Sequence, residues 1–279
     1  TVHQKVDSER RDRVRANHSA THLLHAALRR HLGTHVTQKG SLVAPDYFRF
    51  DFSHPKALTR EEIEAVEAEV NAQIRSNETV STRLTTPDEA IAAGAMALFG
   101  EKYGDEVRVL SMGTDSDADY SVELCGGTHV RALGDIQLLK ITGESAVSAG
   151  VRRIEALTGE AARRWLTDRD SKLREAAATL KSSPDEVPAR IAALVEERKR
   201  LERELADARK ALAMGGGGAA KSESSAPEEV NGHKFIGQVV EGLNPKDLRS
   251  TVDTMKQRVG SGIAALLAVN HGPATRADG

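Results

Sequence analysis

Cysteine is almost missing from this chain of 279 residues, and the single one, Cys125, cannot close an internal disulfide. No charged-then-apolar leader opens the sequence, and no uninterrupted apolar run reaches the roughly 20 residues that a membrane helix needs. These absences argue against a disulfide-stapled secreted scaffold and a helical membrane protein, and point to a soluble protein in a reducing cytoplasm. A large charge excess is missing too. With 39 Lys and Arg against 41 Asp and Glu, the net charge of -2 speaks against a uniformly basic nucleic-acid binder. The balance hides a local excess, because residues 1–40 hold eight Lys and Arg against three Asp and Glu, which suits either contact with phosphates or an ordinary solvated surface. The first residue is Thr1 rather than Met, and the end, HGPATRADG, carries no structural punctuation, so a piece of a longer protein is expected.

What is present divides the chain into four parts. Up to about residue 160, helical periods alternate with strand-like runs and no long loop intervenes, which predicts an α+β domain with a mixed sheet and flanking helices. NHSATHLLHAALRRHLG reads as a helix capped by Asn17, with Leu24, Ala27, Leu28 and Leu32 on its apolar side and Gly33 in a left-handed end position. TREE starts a second helix, Thr59 and Glu62 having capping-box spacing and Ile63, Val66, Val70 and Ile74 forming one stripe. YFRFDF, VSTRLT, EVRVLSM and YSVELC read as strands. Residues 161–214 are wholly helical in pattern. Leu166, Leu173 and Leu180 recur at seven, the two prolines of KSSPDEVP interrupt, and Ile191, Leu194, Leu201, Leu205 and Leu212 resume, which predicts a helical hairpin. With 13 Lys and Arg against 11 Asp and Glu over 160–213, its surface suits pairing or solvation better than clamping RNA. Residues 215–229, GGGGAAKSESSAPEE, form a flexible linker, since no GK[ST] follows the glycines to make a phosphate loop. Residues 230–279 offer one helix and two or three strands, an incomplete small α/β domain.

The chemistry concentrates at two places. His18 and His22 lie four apart, so both imidazoles project from one face of the first helix. In VELCGGTHV, Tyr120, Val122 and Leu124 take one face of a strand and leave Cys125 on the other; Gly126 and Gly127 then let the backbone turn so that His129 returns to the same point. Three imidazoles and a thiolate at tetrahedral angles suit Zn²⁺. His25 shares the helix face of His18 and His22 and reads as a supporting or packing residue. Metalloprotease helices carry H-E-x-x-H, but here the second position is Ser19, which removes the general base of peptide hydrolysis.

Taken in order, NHSATHLLHAALRRHLGTHVTQKGS, RFDFSH, ALFGEKYG, VELCGGTHV and GVRRIEALTG resemble the editing domain of alanyl-tRNA synthetases, with the following helices and glycine run similar to that family's route into its C-terminal domain. The related threonyl-tRNA synthetase editing domain shares mainly the His/His and Cys/His skeleton. The resemblance implies zinc held by His18, His22, Cys125 and His129. It implies hydrolysis of the ester that joins a wrong serine or glycine to the 3' end of tRNA(Ala), a step needed because an activation pocket separates such small side chains by only ~1–3 kcal/mol. Gln38 matches a glutamine at the editing pocket, where it or backbone N–H groups would hold water or the developing oxyanion. Thr21 falls where its hydroxyl would meet that of serine. Arg152 and Arg153 would pair with the terminal phosphate or ribose of the tRNA. The family's C-terminal domain binds tRNA and dimerises. Ligation of alanine to tRNA is not expected, because no ATP-binding aminoacylation domain precedes Thr1. No Asp or Glu lies inside HSATH or CGGTH, which leaves a metal-activated water or the tRNA's own terminal hydroxyl as the source of a base. A second reading stays open, in which a closed structural zinc merely stabilises a tRNA-binding or dimerisation appendage.

Overall fold

A computed structural model describes residues 2–96, 104–116, 118–215, 227–241 and 248–269. ALFGEKYG apart from Gly104, and most of the proposed glycine linker, lie outside the described residues. The chain divides into two compact units, Thr1–Leu173 and Arg174–Gly279. In chain order the first unit runs α1 (Ser8–Leu32), β1 (Gln38–Val43), β2 (Phe48–Ser53), α2 (Arg60–Ser76), β3 (Ser81–Thr85), α3 (Pro87–Ala92), β4 (Val107–Asp115), β5 (Ala118–Leu124), β6 (Leu139–Ser148) and β7 (Val151–Thr158), and the unit boundary falls inside α4 (Gly159–Thr179).

The first helix begins earlier than its sequence suggests. Asp7 is the cap, its carboxylate accepting the N–H of Arg10 at 3.0 Å, and the polar run that follows is helical, with Glu9 and Arg13 paired one turn apart. Asn17, expected as the cap, is instead buried inside the helix. Its Nδ2 donates to the Ala44 carbonyl at 2.7 Å and its Oδ1 accepts the Thr158 hydroxyl at 2.7 Å, so one side chain ties α1 to the β1–β2 turn and to the end of β7. Gly33 does end the helix with a positive φ of 117°, but its ψ of 166° is extended rather than left-handed helical. The capping box of α2 forms in both directions: the Glu62 N–H donates to Thr59 Oγ1 at 3.1 Å, and the Glu62 carboxylate accepts the Thr59 N–H at 2.8 Å. Val66, Val70 and Ile74 of that helix are buried, with Ile63 packed beside them.

The expected mixed sheet is two antiparallel sheets. One has the order β1-β2-β7-β6 and the other β3-β4-β5; among the described residues of this unit the parallel contact is an isolated bridge between Met96 and Glu123. Tight connections explain this: β1 to β2, β4 to β5 and β6 to β7 are hairpins, which only antiparallel strands permit. Alternation puts Phe48, Phe50 and Phe52 on the inner face of β2, all fully buried, each contributing about 1.5–3 kcal/mol by leaving water. With Ile154 and Ala156 of β7, Leu23, Leu24 and Leu28 of α1 and the α2 stripe, they build one core. That core seats α1, which carries His18 and His22, beside β5, whose end leads into Cys125 and His129.

In the second unit, a break containing Pro184 precedes α5 (Val187–Gly215), which has Pro188 in its first turn and where Ile191, Leu194, Leu201 and Leu205 are all exposed. Further on come β8 (Glu228–Val230), β9 (His233–Glu241), α6 (Leu248–Val259) and β10 (Gly262–Val269). β9 and β10 run parallel with α6 between them in sequence, and β8 adds antiparallel to β9, so Glu228 and Glu229 belong to a sheet edge. Ile236, Met255 and Val259 form a small core there.

Candidate metal centre

The i, i+4 spacing on α1 and the end of β5 bring His18, His22, Cys125 and His129 together. One donor atom from each lies within 4.8 Å of the others. Cys125 Sγ is 3.6 Å from His18 Nε2 and 3.3 Å from His129 Nε2. A tetrahedral zinc ion with ordinary bond lengths would hold sulfur and nitrogen donors about 3.6 Å apart, so the spacing fits. A further sign is His22 Nε2, which is buried and has no hydrogen-bond partner. An orphaned imidazole nitrogen facing two other imidazoles and a thiol is what a cation site leaves behind, and a packing role would not explain it.

The other ring nitrogens are held from outside. His22 Nδ1 is 2.8 Å from Glu123 Oε2, and His129 Nδ1 is 3.2 Å from Ser19 Oγ, which also accepts the Val130 N–H at 3.1 Å. Ser19, the residue that stands where a protease would have glutamate, is therefore an orienting group. Burial alone would lower His22, yet the Cys125 sulfur and the Glu123 carboxylate beside it lift it to about 9. Burial would raise the Cys125 thiol, but the His129, His18 and His22 side chains draw it down to about 3, making it a thiolate at neutral pH. Burial would likewise raise Glu123, and its bonds to His22 and His25 hold it at about 2 instead. His129 is lowered, by burial first and then by His18 and His22. The set thus presents one anionic sulfur among imidazoles, the donor chemistry that zinc prefers.

The CGG segment is built differently from its sequence expectation. Gly127 is not in the left-handed region; its lack of a side chain matters because a Cβ there would collide with the His18 ring, while a Cβ on Gly126 would meet nothing within 4 Å. Arg108 on β4 fixes the segment, donating from Nε to the Cys125 carbonyl at 2.8 Å and from its other arm to the Gly127 carbonyl.

The remaining expected residues lie elsewhere. Thr21 is on α1 but buried, with its hydroxyl donated to the His18 carbonyl at 2.7 Å. Gln38 opens β1, its Nε2 3.4 Å from Ser41 Oγ, and it pairs across the sheet with Phe52, which pairs with Arg152; the three share one row. Arg152 forks onto Glu144 and Arg153 onto Asp51, so both guanidinium groups are engaged within the protein. His25 is close to Phe50 and bonded to Glu123. Sequence reasoning missed Glu123, Ser19 and Arg108 as parts of the site. Glu123 had a signal, standing two residues before Cys125 in a strand-like run.

The profile of the threonyl and alanyl tRNA synthetase second additional domain matches residues 107–155, from β4 through the CGGTH segment into β7. Over its whole length the chain is 70% identical to the alanine–tRNA ligase of Sphingopyxis alaskensis, of which it covers 32%. The whole chain thus matches one region of alanine–tRNA ligases. The ligase of Rhizorhabdus wittichii is likewise 70% identical over the whole chain, which covers 32% of that ligase. That of Parvibaculum lavamentivorans is 60% identical over 97% of the chain and 31% of its own length. The chain thus spans about a third of the length of these relatives, and both halves of the histidine and cysteine cluster lie inside the aligned region. Among the described residues no helix is long and apolar enough to cross a membrane.

Proposed function

We propose that this chain is the editing part of an alanine–tRNA ligase and hydrolyses the ester of seryl- or glycyl-tRNA(Ala). The observation that carries the reading is the convergence of His18, His22, Cys125 and His129, with an orphaned imidazole nitrogen, in a region shared with threonyl and alanyl tRNA synthetases. These four would hold Zn²⁺. Bound there, the ion would supply positive charge to orient the aminoacyl group or a water molecule beside the ester carbonyl.

The chain's own residues do the rest. The Cys125 thiolate and the three Nε2 atoms would hold the ion; Ser19 and Arg108 keep His129 and the CGG segment in place. Gln38 offers amide hydrogens to the water or the developing oxyanion, together with backbone N–H groups. Thr21 contributes its hydroxyl to serine recognition, for which it remains an acceptor while donating to His18. Arg152, in the row of Gln38, exchanges Glu144 for a phosphate or ribose oxygen of the tRNA terminus, and Arg153 does so from Asp51. Glu123 is a poor general base because both of its oxygens are taken. As the water adds and the ester C–O bond breaks, the water's proton is relayed through the neighbouring terminal hydroxyl of the tRNA, which passes its own proton to the departing ribose oxygen. Within the longer protein the same reading places residues 161–214 in a helical hairpin, 230–279 in tRNA binding and dimerisation, and the whole in the cytoplasm.

A second reading draws on a specific feature. Four protein donors make a closed set, which is typical of structural zinc, and a stabilised tRNA-binding or dimerisation appendage would need nothing more. Incubating seryl-tRNA(Ala) with the chain and with Cys125→Ala, alongside zinc determination and circular dichroism, separates the two. Release of serine by the wild type and its loss in the folded variant supports editing. A wild type that holds zinc and leaves the ester intact establishes the appendage.

A further inference from the structure

We propose that Glu123 and His25 act together as positioning residues, a brace that points His22 Nε2 at the metal and balances the metal's charge. The inference rests on the zinc reading of the cluster but adds two residues that do not touch the ion. Glu123 is 4% exposed, and its two oxygens are divided between two imidazoles on neighbouring positions of one helix face: Oε2 with His22 Nδ1 at 2.8 Å, Oε1 with His25 Nδ1 at 2.9 Å. An ionised carboxylate only accepts, so both Nδ1 atoms carry hydrogen. With Nδ1 so engaged, Nε2 is the nitrogen of His22 left to face the cluster, and a metal that displaces its proton would find the lone pair already aimed, in the tautomer a ligand requires.

His25 is the informative partner. Its Nε2 is buried without any hydrogen-bond partner, and its ring lies 5.3 Å from that of Phe50, on the core side. Leucine would fill that place with no polar atom stranded, so half of this imidazole is a cost that the other half must offset. The half that is bonded does one thing, which is to hold Glu123 Oε1. A carboxylate gripped at a single oxygen could rotate or swing toward the cation and become a ligand itself; gripped at both, it has one orientation. Charge supports the same arrangement. A divalent ion with one thiolate and three neutral imidazoles keeps a net positive charge, and Glu123 cancels it inside the protein. Glu123 lies in β5 and Cys125 directly follows its last residue, so only Leu124 separates the brace from the ligand sulfur along the chain.

The test uses the full chain and zinc itself. Chelator competition should show Glu123→Gln binding zinc about 10–100-fold more weakly, because an amide accepts on one side only and forces one imidazole into the wrong tautomer. The Co²⁺-substituted variant should keep its thiolate charge-transfer band while its ligand-field bands shift. If Glu123→Gln does not fold, two changes at His25 decide: His25→Leu, lacking the donor, should weaken zinc about tenfold, and His25→Asn, which places an amide N–H near Nδ1, should restore it to within about threefold. Zinc affinity equal to wild type in Glu123→Gln or in His25→Leu, with only a lower unfolding temperature, would show that Glu123 simply staples α1 to β5 and would overturn the brace. A wild type that takes no zinc overturns it as well. A wild type that binds zinc but spares seryl-tRNA(Ala) removes the proposed function and leaves the brace standing.

Discussion

Replacing Gly127 with alanine should break the metal centre while sparing the fold. A Cβ at this position would overlap the His18 ring at Cε1 and Nδ1, so one of the two must move. The backbone cannot easily retreat. Arg108 holds the carbonyls on both sides of Gly126, and the Cys125 N–H is paired to the Arg108 carbonyl at 3.0 Å. His18 therefore yields, and the cluster loses one of its four donors. Changes that only disturb a ligand's support cost about 10–100-fold in metal affinity, so loss of the ligand itself should cost at least about 100-fold, or about 2.8 kcal/mol at 1.4 kcal/mol per tenfold. Gly126→Ala is the internal control, since nothing lies within 4 Å of its added carbon and its φ is outside the left-handed region. It should bind zinc like the wild type. Chelator competition for affinity and circular dichroism for folding provide the readouts. The reasoning fails if Gly127→Ala keeps its affinity within about threefold, or if Gly126→Ala falls with it.

Three other perturbations address the scaffold. Asn17→Ala should cost about 2–3 kcal/mol in denaturant unfolding, because it strands the Ala44 carbonyl and the Thr158 hydroxyl, both bonded to the same buried amide; a loss below about 0.5 kcal/mol would mean that water replaces it freely. Arg153→Ala should lower stability by about 1–3 kcal/mol by leaving Asp51, 9% exposed, without its forked partner, and Arg153→Lys should restore little. Unchanged stability with weaker tRNA binding would instead assign that arginine to phosphate. In Glu62→Gln the expected loss is about 1 kcal/mol at neutral pH. The Thr59 backbone N–H holds the Glu62 carboxylate below its ordinary range, so its contribution is complete above the unfolded carboxylate's pKa and is lost as pH falls through the lowered folded value. The gap between wild type and variant should therefore close on acidification, and a gap that widens would contradict the assignment.

Much of this architecture was legible from local pattern. The capping box at Thr59, the stripe of Val66, Val70 and Ile74, and the alternation in YFRFDF each encode their element within a few residues, because caps and periodicity are short-range properties. The two His/Cys donor pairs were legible for the same reason, four positions apart on a helix and after the end of a strand. Asn17 misled because Asn is a good cap, and nothing nearby says that its amide is claimed by Ala44 and Thr158 from elsewhere in the chain. The tight β-hairpins, which make the sheets antiparallel, were not read as such.

By itself, the order of residues determined which side chains can bind a metal and on which faces they stand. It could not determine what stands behind them. Glu123 meets His22 and His25 across about a hundred residues, Ser19 meets His129 across a similar gap, and Arg108 reaches the Gly127 carbonyl only through the pairing of β4 with β5. Those partners are chosen by strand register and by the seating of α1 on the core, which depend on the packing of the whole unit, and so only the tertiary structure decided them.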